Sequence, residues 1–230
     1  MNEVEGLRSI WANIPFELFA RVLVVDGNST DGTLEFLADK GYEVLCQESP
    51  GRGNAIREAM ERVDEEIVVF MSSDGNDDPA YVSAMLAKMA EGYDIVAGSR
   101  FIGNGNTDDS DDPIGIRRFG NMAFTMLINL LWNGHLTDSL FGLRALRVSA
   151  WRSMKIEATR NETEFLMSIS ACKLGLKIAE IPVVEGQRVG GGVKATTLAT
   201  GWCFLWLMVR ELLRGKRHIC DLPRAAAPKP

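Results

Sequence analysis

The chain has 230 residues, a length that suits one α/β domain with a sizeable core and room for an appended element, and that leaves two full domains cramped. Its formal charge of −6, with no basic run, argues against a general nucleic-acid binder, which needs a positive footprint to replace counterions. With only His135 and His218 present, the composition argues against a histidine-based triad or a multi-histidine zinc site.

The four cysteines, Cys46, Cys172, Cys203 and Cys220, lack metal-type spacing, and three lie in apolar surroundings, so they read as reduced, mostly buried thiols of a cytosolic protein. Met1 leads directly into Asn2-Glu3-Val4-Glu5, which is unlike a signal peptide, and a cytoplasmic location is the expectation.

Taken in order, residues 1–15 predict one helix, with Val4, Leu7, Ile10, Trp11 and Ile14 at spacings of three and four. Residues 20–25 predict a short strand running into Asp26-Gly27-Asn28-Ser29-Thr30-Asp31-Gly32-Thr33, a segment of turn formers and helix caps. A helix through Leu34, Leu37 and Ala38 ends near Gly41, and residues 42–46 form the next strand. Pro50-Gly51-Arg52-Gly53-Asn54 opens another helix; its backbone N–H groups suit an anion, and a plain helix entry explains the glycines equally well.

Residues 67–71, Ile-Val-Val-Phe-Met, are continuously apolar and predict a strand buried on both faces. Beyond its carboxyl end, where ligands bind in open α/β sheets, stand Asp74, Asn76, Asp77 and Asp78, hard oxygen donors of the kind that Mg²⁺ or Mn²⁺ takes together with a substrate phosphate. The same residues also make ordinary turns, and Asp78-Pro79 is a fitting cap for the next helix, so the stretch alone leaves both readings open. After that helix, residues 93–98 give a strand closed by Ser99-Arg100-Phe101.

Residues 104–113 turn polar and acidic, as a solvated surface loop or a lid does. A long helix follows, with Phe119, Met122, Ala123, Met126, Leu127, Leu130 and Leu131 on one broad face; core packing is the expected use of that face, a lipid or partner contact the lesser alternative. Residues 136–148 predict a strand with Asp138 at one end. Glu162 and Glu164 open a helix whose first turn they suit as dipole partners. A last strand spans 176–184, followed by a loop carrying Arg188 and Lys194. The helix over 197–213 falls short of the roughly 20 apolar residues a bilayer core needs. Its Trp202, Phe204 and Trp206, with Arg210, Arg214, Lys216 and Arg217 at its end, suit either a membrane surface or docking against the domain. The Ala/Pro-rich tail is expected to be disordered. This divides the chain into 1–195, 196–217 and 218–230.

Read together, Val24-Val25-Asp26-Gly27-Asn28-Ser29-Thr30-Asp31-Gly32-Thr33, Gly51-Arg52-Gly53-Asn54-Ala55, Val96-Ala97-Gly98-Ser99-Arg100-Phe101, Asp138 with Phe141-Gly142-Leu143-Arg144, and the loop from Arg188 to Lys194 resemble, in order and spacing, the family 2 glycosyltransferases of the GT-A fold. Within them the chain is most similar to the dolichyl- or polyprenyl-phosphate sugar synthases. The resemblance implies a single Rossmann-like α/β domain with a mostly parallel central sheet, and a C-terminal amphipathic helix. It implies a metal-dependent, inverting transfer from a GDP- or UDP-sugar to a lipid phosphate at the cytoplasmic face of a membrane, with Mg²⁺ or Mn²⁺ on the diphosphate. Asp26, Asp31, Arg52 and Asp74 fall on the donor side, Asp74 and Asn76 on the metal, and Arg100, Arg188 and Lys194 on phosphates, with Asp74, Arg100 and Asp138 as the catalytic set. A soluble hydroxyl acceptor would need a base, for which Asp138 is the candidate; a weakly active nucleotide- or partner-binding relative is the third reading. The chain departs from the family pattern in three places: Asp74-Gly75-Asn76 stands for D-x-D, Val193 for a serine, and Met1-Asn2-Glu3 opens where family members carry a strand ending in P-x-x-N-E.

Overall fold

The computed structural model describes residues 1–103, 115–189 and 197–215. Lys194 and the acidic stretch 104–113 lie outside these residues, as does the tail beyond 215. Helix α1 is Val4–Ile10, shorter than the sequence suggests, because the chain tightens into a 3₁₀ turn at Trp11–Asn13 before Pro15. Strand β1 (Leu23–Asp26), helix α2 (Thr33–Lys40) and strand β2 (Glu43–Cys46) follow. α2 stops at Gly41, which takes the left-handed conformation, φ 72°, and returns its N–H to the Ala38 carbonyl. Next come α3 (Arg52–Met60), β3 (Ile67–Phe70), α4 (Tyr81–Ala90), β4 (Ile95–Ser99) and α5 (Ile116–Trp132). The chain continues through β5 (Arg144–Arg147), α6 (Val148–Met154), α7 (Thr163–Leu174), β6 (Ile178–Pro182) and α8 (Thr197–Arg214).

Among the described residues the strands form two sheets, a parallel pair β1-β2 and a four-stranded sheet in the order β3-β5-β4-β6. β5 runs antiparallel to both of its neighbours, and β4 pairs parallel with β6, so three strands of the larger sheet share one direction. The strand expected over 136–148 is therefore only its last third, and Asp138 sits in the loop that leads into it. Because β5 is reversed, that loop enters at the edge where β3 and β4 end, with Arg144 paired to Phe70 and Ala97.

Helix α1 joins the two sheets. Asn2 N donates to Ser29 Oγ at 2.8 Å and Val4 N to Asp31 Oδ2 at 3.0 Å, on the loop after β1. Its other side lies against the turn after β3 so closely that a Cβ on Gly6 would stand 2.5 Å from the Ser73 carbonyl oxygen. Only glycine admits that approach.

The larger sheet is covered on both faces. Ile95 and Leu146 join Phe165, Ile169 and Ile128 in a core under α5, α6, α7 and α8, while the intervening Val96 and Ala145 face Met85 and Met89 of α4. α8 is half docked: Phe204 stacks on Phe165 with ring centroids 4.5 Å apart, and Leu207 and Met208 are buried beside it. A buried ion pair, Lys173 Nζ to Glu211 Oε2 at 2.7 Å, ties α7 to α8.

Two expectations change here. The broad apolar face of α5 is solvent-facing, with Phe119 75%, Met126 69% and Leu130 73% exposed, because the core takes Thr125 and Ile128 from the opposite side. Trp202 and Trp206 on α8 are likewise exposed. Cys46 and Cys203 are exposed free thiols rather than buried ones.

Candidate active site

The carboxyl ends of β3, β4 and β6 and the loop entering β5 converge on one edge, and the end of β1, in the other sheet, is linked to it through α1. At the end of β1 the Asp26 carboxylate is buried and accepts from Ser29 N at 2.7 Å and Ser29 Oγ at 2.5 Å, so it shapes its own turn. Asp31 receives Thr33 N and Thr33 Oγ1 on one oxygen and Val4 N on the other. Slight desolvation pushes its carboxyl up, but the Thr33 hydroxyl and these N–H groups outweigh it and hold the carboxyl below its usual value. Asp31 thus fastens α1 to the turn after β1. At the entry of α3, Asn54 N donates to the Thr159 carbonyl at 3.3 Å, and a Cβ on Gly51 would overlap the Thr159 carbonyl oxygen while one on Gly53 would stand 2.6 Å from the Ala158 carbonyl carbon, so close packing requires both glycines. Arg52 reaches across to the buried Glu164, which stands in the first turn of α7 as expected and adds an ion pair to that position.

The turn after β3 is built around two inward carboxylates. Asp74 Oδ1 accepts from Ser72 Oγ at 2.8 Å and Asn76 N at 3.4 Å. Asp77 is 3% exposed and accepts from Ser72 N at 2.7 Å. Burial, with the neighbouring Asp74 and Glu185 charges, pushes its carboxyl up to about 7 against the Ser72 N–H and Arg52. Asp78 instead turns outward and accepts from Ala80 N at 2.9 Å, which is the capping role. Gly75 makes the turn possible at φ 86°.

Arg100, after β4, is the hub of the other half. Its Nε donates to Asp138 Oδ2 at 2.7 Å and its Nη2 to Asp138 Oδ1 at 3.1 Å, while Nη1 donates to Glu185 Oε2 at 2.9 Å. The rings of Phe101 and Phe141 flank the guanidinium at 5.6 and 5.2 Å. The Asp138 side chain is fully buried, and its oxygens also accept from Leu140 N and Arg100 N. A carboxylate so saturated has no lone pair facing solvent for a substrate proton; as folded it fixes Arg100 rather than standing ready as a base. Below it, Glu180 of β6 accepts from Thr137 N and Asp138 N at 2.7 and 2.9 Å, and burial raises its carboxyl despite these bonds.

The last loop closes over the turn after β3. Gly186 N donates to the Asn76 carbonyl and Val189 N to the Asp74 carbonyl, both at 2.9 Å. Arg188 is thereby placed between Glu3, with which it pairs, and Asp74 Oδ2 at 3.7 Å. Asn76 Nδ2 donates to Glu185 Oε1 at 3.2 Å. Among the described residues of this turn and loop, Asn76 Oδ1 and Arg188 Nε are buried polar atoms without a hydrogen-bond partner.

The model of the family described as "Glycosyl transferase family 2" matches residues 5–154, well over half of the chain. The chain belongs to this family. A glycosyltransferase of Haloferax volcanii, AglJ, is 31% identical over 83% of this chain, which spans 62% of AglJ's length. A dolichyl-phosphate hexose transferase of the same organism is 31% identical over 82% of this chain and 81% of its own. Among solved structures, glucosyl-3-phosphoglycerate synthase from Mycobacterium tuberculosis, in complex with Mn²⁺, UDP and phosphoglyceric acid, superposes with a TM-score of 0.66. It is 22% identical, over 98% of this chain and 77% of that one. The likeness identifies the GT-A fold.

For a divalent cation of the kind family 2 sites use, the donor set can be judged from its chemistry. Among the described residues no three His, Cys, Asp or Glu side chains are gathered tightly enough to enclose a metal. Mg²⁺-type sites are rarely enclosed, however: one or two protein oxygens suffice when substrate phosphates and water complete the shell. Asp74, and the unpartnered Oδ1 of Asn76 two residues on, fit that requirement. Of the residues the sequence singles out, Asp74, Asn76, Arg188 and, through Glu185, Arg100 and Asp138 are brought together; Asp26 and Asp31 lie beyond α1. Glu185 escaped the sequence reading; its one signal is a carboxylate just past the carboxyl end of the last strand.

Proposed function

We propose that the protein transfers a sugar from a nucleoside-diphosphate donor to a polyprenyl-type phosphate, inverting and metal-dependent, while resting on a membrane surface. The observation that carries the lipid acceptor is the position of the exposed apolar face. α5 leaves the site beside Arg100, where the Arg118 guanidinium stands 5.7 Å from the Phe101 ring, and then presents Phe119, Met122, Met126 and Leu130 outward; Trp202 and Trp206 of α8 are exposed as well. Apolar area of this kind favours acyl chains. A lipid phosphate would then present its head group to Arg100 with its chain along α5. The names of the dolichyl-phosphate relatives agree with this reading. No described helix is long and apolar enough to cross a membrane, so contact would be lateral.

The chemistry asked of the residues is modest. Breaking the sugar–diphosphate bond leaves negative charge on the departing nucleoside diphosphate, and a cation held at Asp74 and Asn76 would supply charge neutralisation there. Arg188, poised between Glu3 and Asp74, would add a fixed positive charge on the same side. The acceptor phosphate, with a second pKa of about 6, is already a nucleophile at neutral pH, so no general base is needed. That agrees with an Asp138 committed to Arg100, and disfavours a hydroxyl acceptor.

The test incubates the chain with GDP- and UDP-hexoses, Mn²⁺ and a short polyprenyl phosphate in detergent. Expected is a lipid-linked, acid-labile sugar, with nucleoside diphosphate release that depends on the lipid and falls at least about 100-fold in Asp74→Ala. Release that needs only a water-soluble alcohol would move the assignment to a hydroxyl acceptor, and no release from any donor would reject the transferase reading.

A further inference from the structure

Family 2 enzymes with D-x-D offer oxygens on both sides of the second carboxylate, so its rotation about the last bond is immaterial. With Asn76 in that place the two sides differ. One presents Oδ1, an oxygen a cation accepts, and the other an NH₂ that repels it. Something must choose between them, and the choice lies outside the motif. Resting on the transferase reading above, we propose that Glu185 is the positioning residue that sets the Asn76 amide with Oδ1 toward the metal and donor diphosphate, and that it does so because only a carboxylate can satisfy both of its neighbours.

The geometry is a chain of donors and acceptors. Glu185 Oε1 accepts from Asn76 Nδ2 at 3.2 Å, and Glu185 Oε2 accepts from Arg100 Nη1 at 2.9 Å. Both partners donate, so residue 185 must accept on each side. The Asn76 backbone is held in register by Gly186 N on its carbonyl, which leaves the side-chain amide as the freedom that Glu185 removes. With Nδ2 fixed in this way, Oδ1 is buried and bonded to nothing in the protein, which is how a ligand atom awaiting a cation presents itself.

A glutamine at 185 has the right shape and the wrong symmetry. The charged Arg100 is the stronger donor and takes the glutamine's carbonyl oxygen; its NH₂ then faces residue 76 and draws Asn76 Oδ1 toward itself, turning Nδ2 to the metal. An aspartate at 76 would cure this, since it offers one oxygen to that NH₂ and the other to the cation. The pairing is therefore reciprocal. A carboxylate at 185 goes with an amide at 76, and an amide at 185 would go with a carboxylate at 76.

The experiment measures Mn²⁺ binding to the full chain by water-proton relaxation, with UDP or GDP present, in the wild type, Asp74→Ala, Glu185→Gln, Asn76→Asp and the Glu185→Gln/Asn76→Asp double variant, each checked for folding by thermal melting. Expected is a loss of about 10- to 100-fold in affinity for Glu185→Gln, the range seen when groups that orient metal ligands are removed. The double variant should return to within about threefold of wild type. Where Glu185→Gln fails to fold, the double variant carries the test alone: a folded double variant that does not bind Mn²⁺ overturns the proposal. Unchanged affinity in Glu185→Gln, with binding lost in Asp74→Ala, overturns it while leaving the transferase reading intact. A loss in Glu185→Gln that Asn76→Asp does not repair would reduce Glu185 to a structural support, which also overturns it. Absence of Mn²⁺ binding in the wild type removes the metal-dependent reading, and this inference with it.

Discussion

At the scale of single residues, Asp77 makes the sharpest prediction. Its carboxyl is raised from 3.8 to about 7, chiefly by burial and then by the charges of Asp74 and Glu185. Between those two values the folded protein binds the proton that the unfolded chain has released, so this residue's contribution to stability falls as pH rises through that window and is least favourable above 7. Asp77→Asn keeps an acceptor for Ser72 N and removes the charge. Relative to wild type, the variant should gain stability from pH 5 to pH 8, by a few kcal/mol at most, as read from urea unfolding at each pH in the absence of divalent cations. A difference that does not change with pH would mean that Asp77 is ionised throughout. This distinction was not legible in the sequence. An apolar run ending in Asp74 pointed to this turn, but Asp77 and Asp78 are adjacent and chemically identical there. Only the turn decides that one is buried and the other caps α4.

At the scale of elements, the long helices among the described residues were legible, because a 3.6-residue repeat of apolar side chains is a local signal. What it does not reveal is which face is covered. On α5 the conspicuous stripe of Phe119, Met126 and Leu130 faces solvent, and the core is served by Ile128 and the hydroxyl of Thr125, which meets Ser139 Oγ at 2.8 Å. Arg100 and Asp138 were singled out separately, but their pairing, and Glu185 with it, was not legible for a related reason: Asp138 is 38 residues from Arg100, and Glu185 is 85, so no motif window holds the three together. α8 shows the same divided character. Its inner face is locked by Lys173, which donates to both the carbonyl and the carboxylate of Glu211 at 2.7 Å. Lys173→Met leaves Glu211 buried with only Arg210, at 3.1 Å, and Arg214, at 3.7 Å, in reach. The expected loss is about 3 kcal/mol, the lower end for breaking a buried pair, measured by denaturant unfolding. Lys173→Met/Glu211→Leu should recover most of it. Failure of the double variant to recover would show that the pair is held for packing rather than for charge.

At the scale of the whole molecule, α5 and α8 each present exposed apolar side chains, a surface suited to the lipid acceptor proposed above. The chain should therefore float with vesicles of phosphatidylethanolamine and phosphatidylglycerol. Replacing both Trp202 and Trp206 by serine should weaken that association by about tenfold or more, with the fold unchanged by circular dichroism. A chain that ignores the vesicles and instead dimerises through this surface in sedimentation would assign it to a second copy. The order of the strands has a consequence of a different kind, for the timing of synthesis. β3 and β4 are separated in sequence by one helix, yet they are joined in the sheet only through β5, which is made after both, and α1 is tied to the last loop only when Arg188 pairs with Glu3, 185 residues behind it. In the order of synthesis, Asp26, Asp74, Arg100 and Asp138 all precede Glu185 and Arg188, which pair with Arg100 and with Glu3 and Asp74. The residues that close this cluster are thus the last of it to be made, and Arg100 gains its second carboxylate only when they emerge.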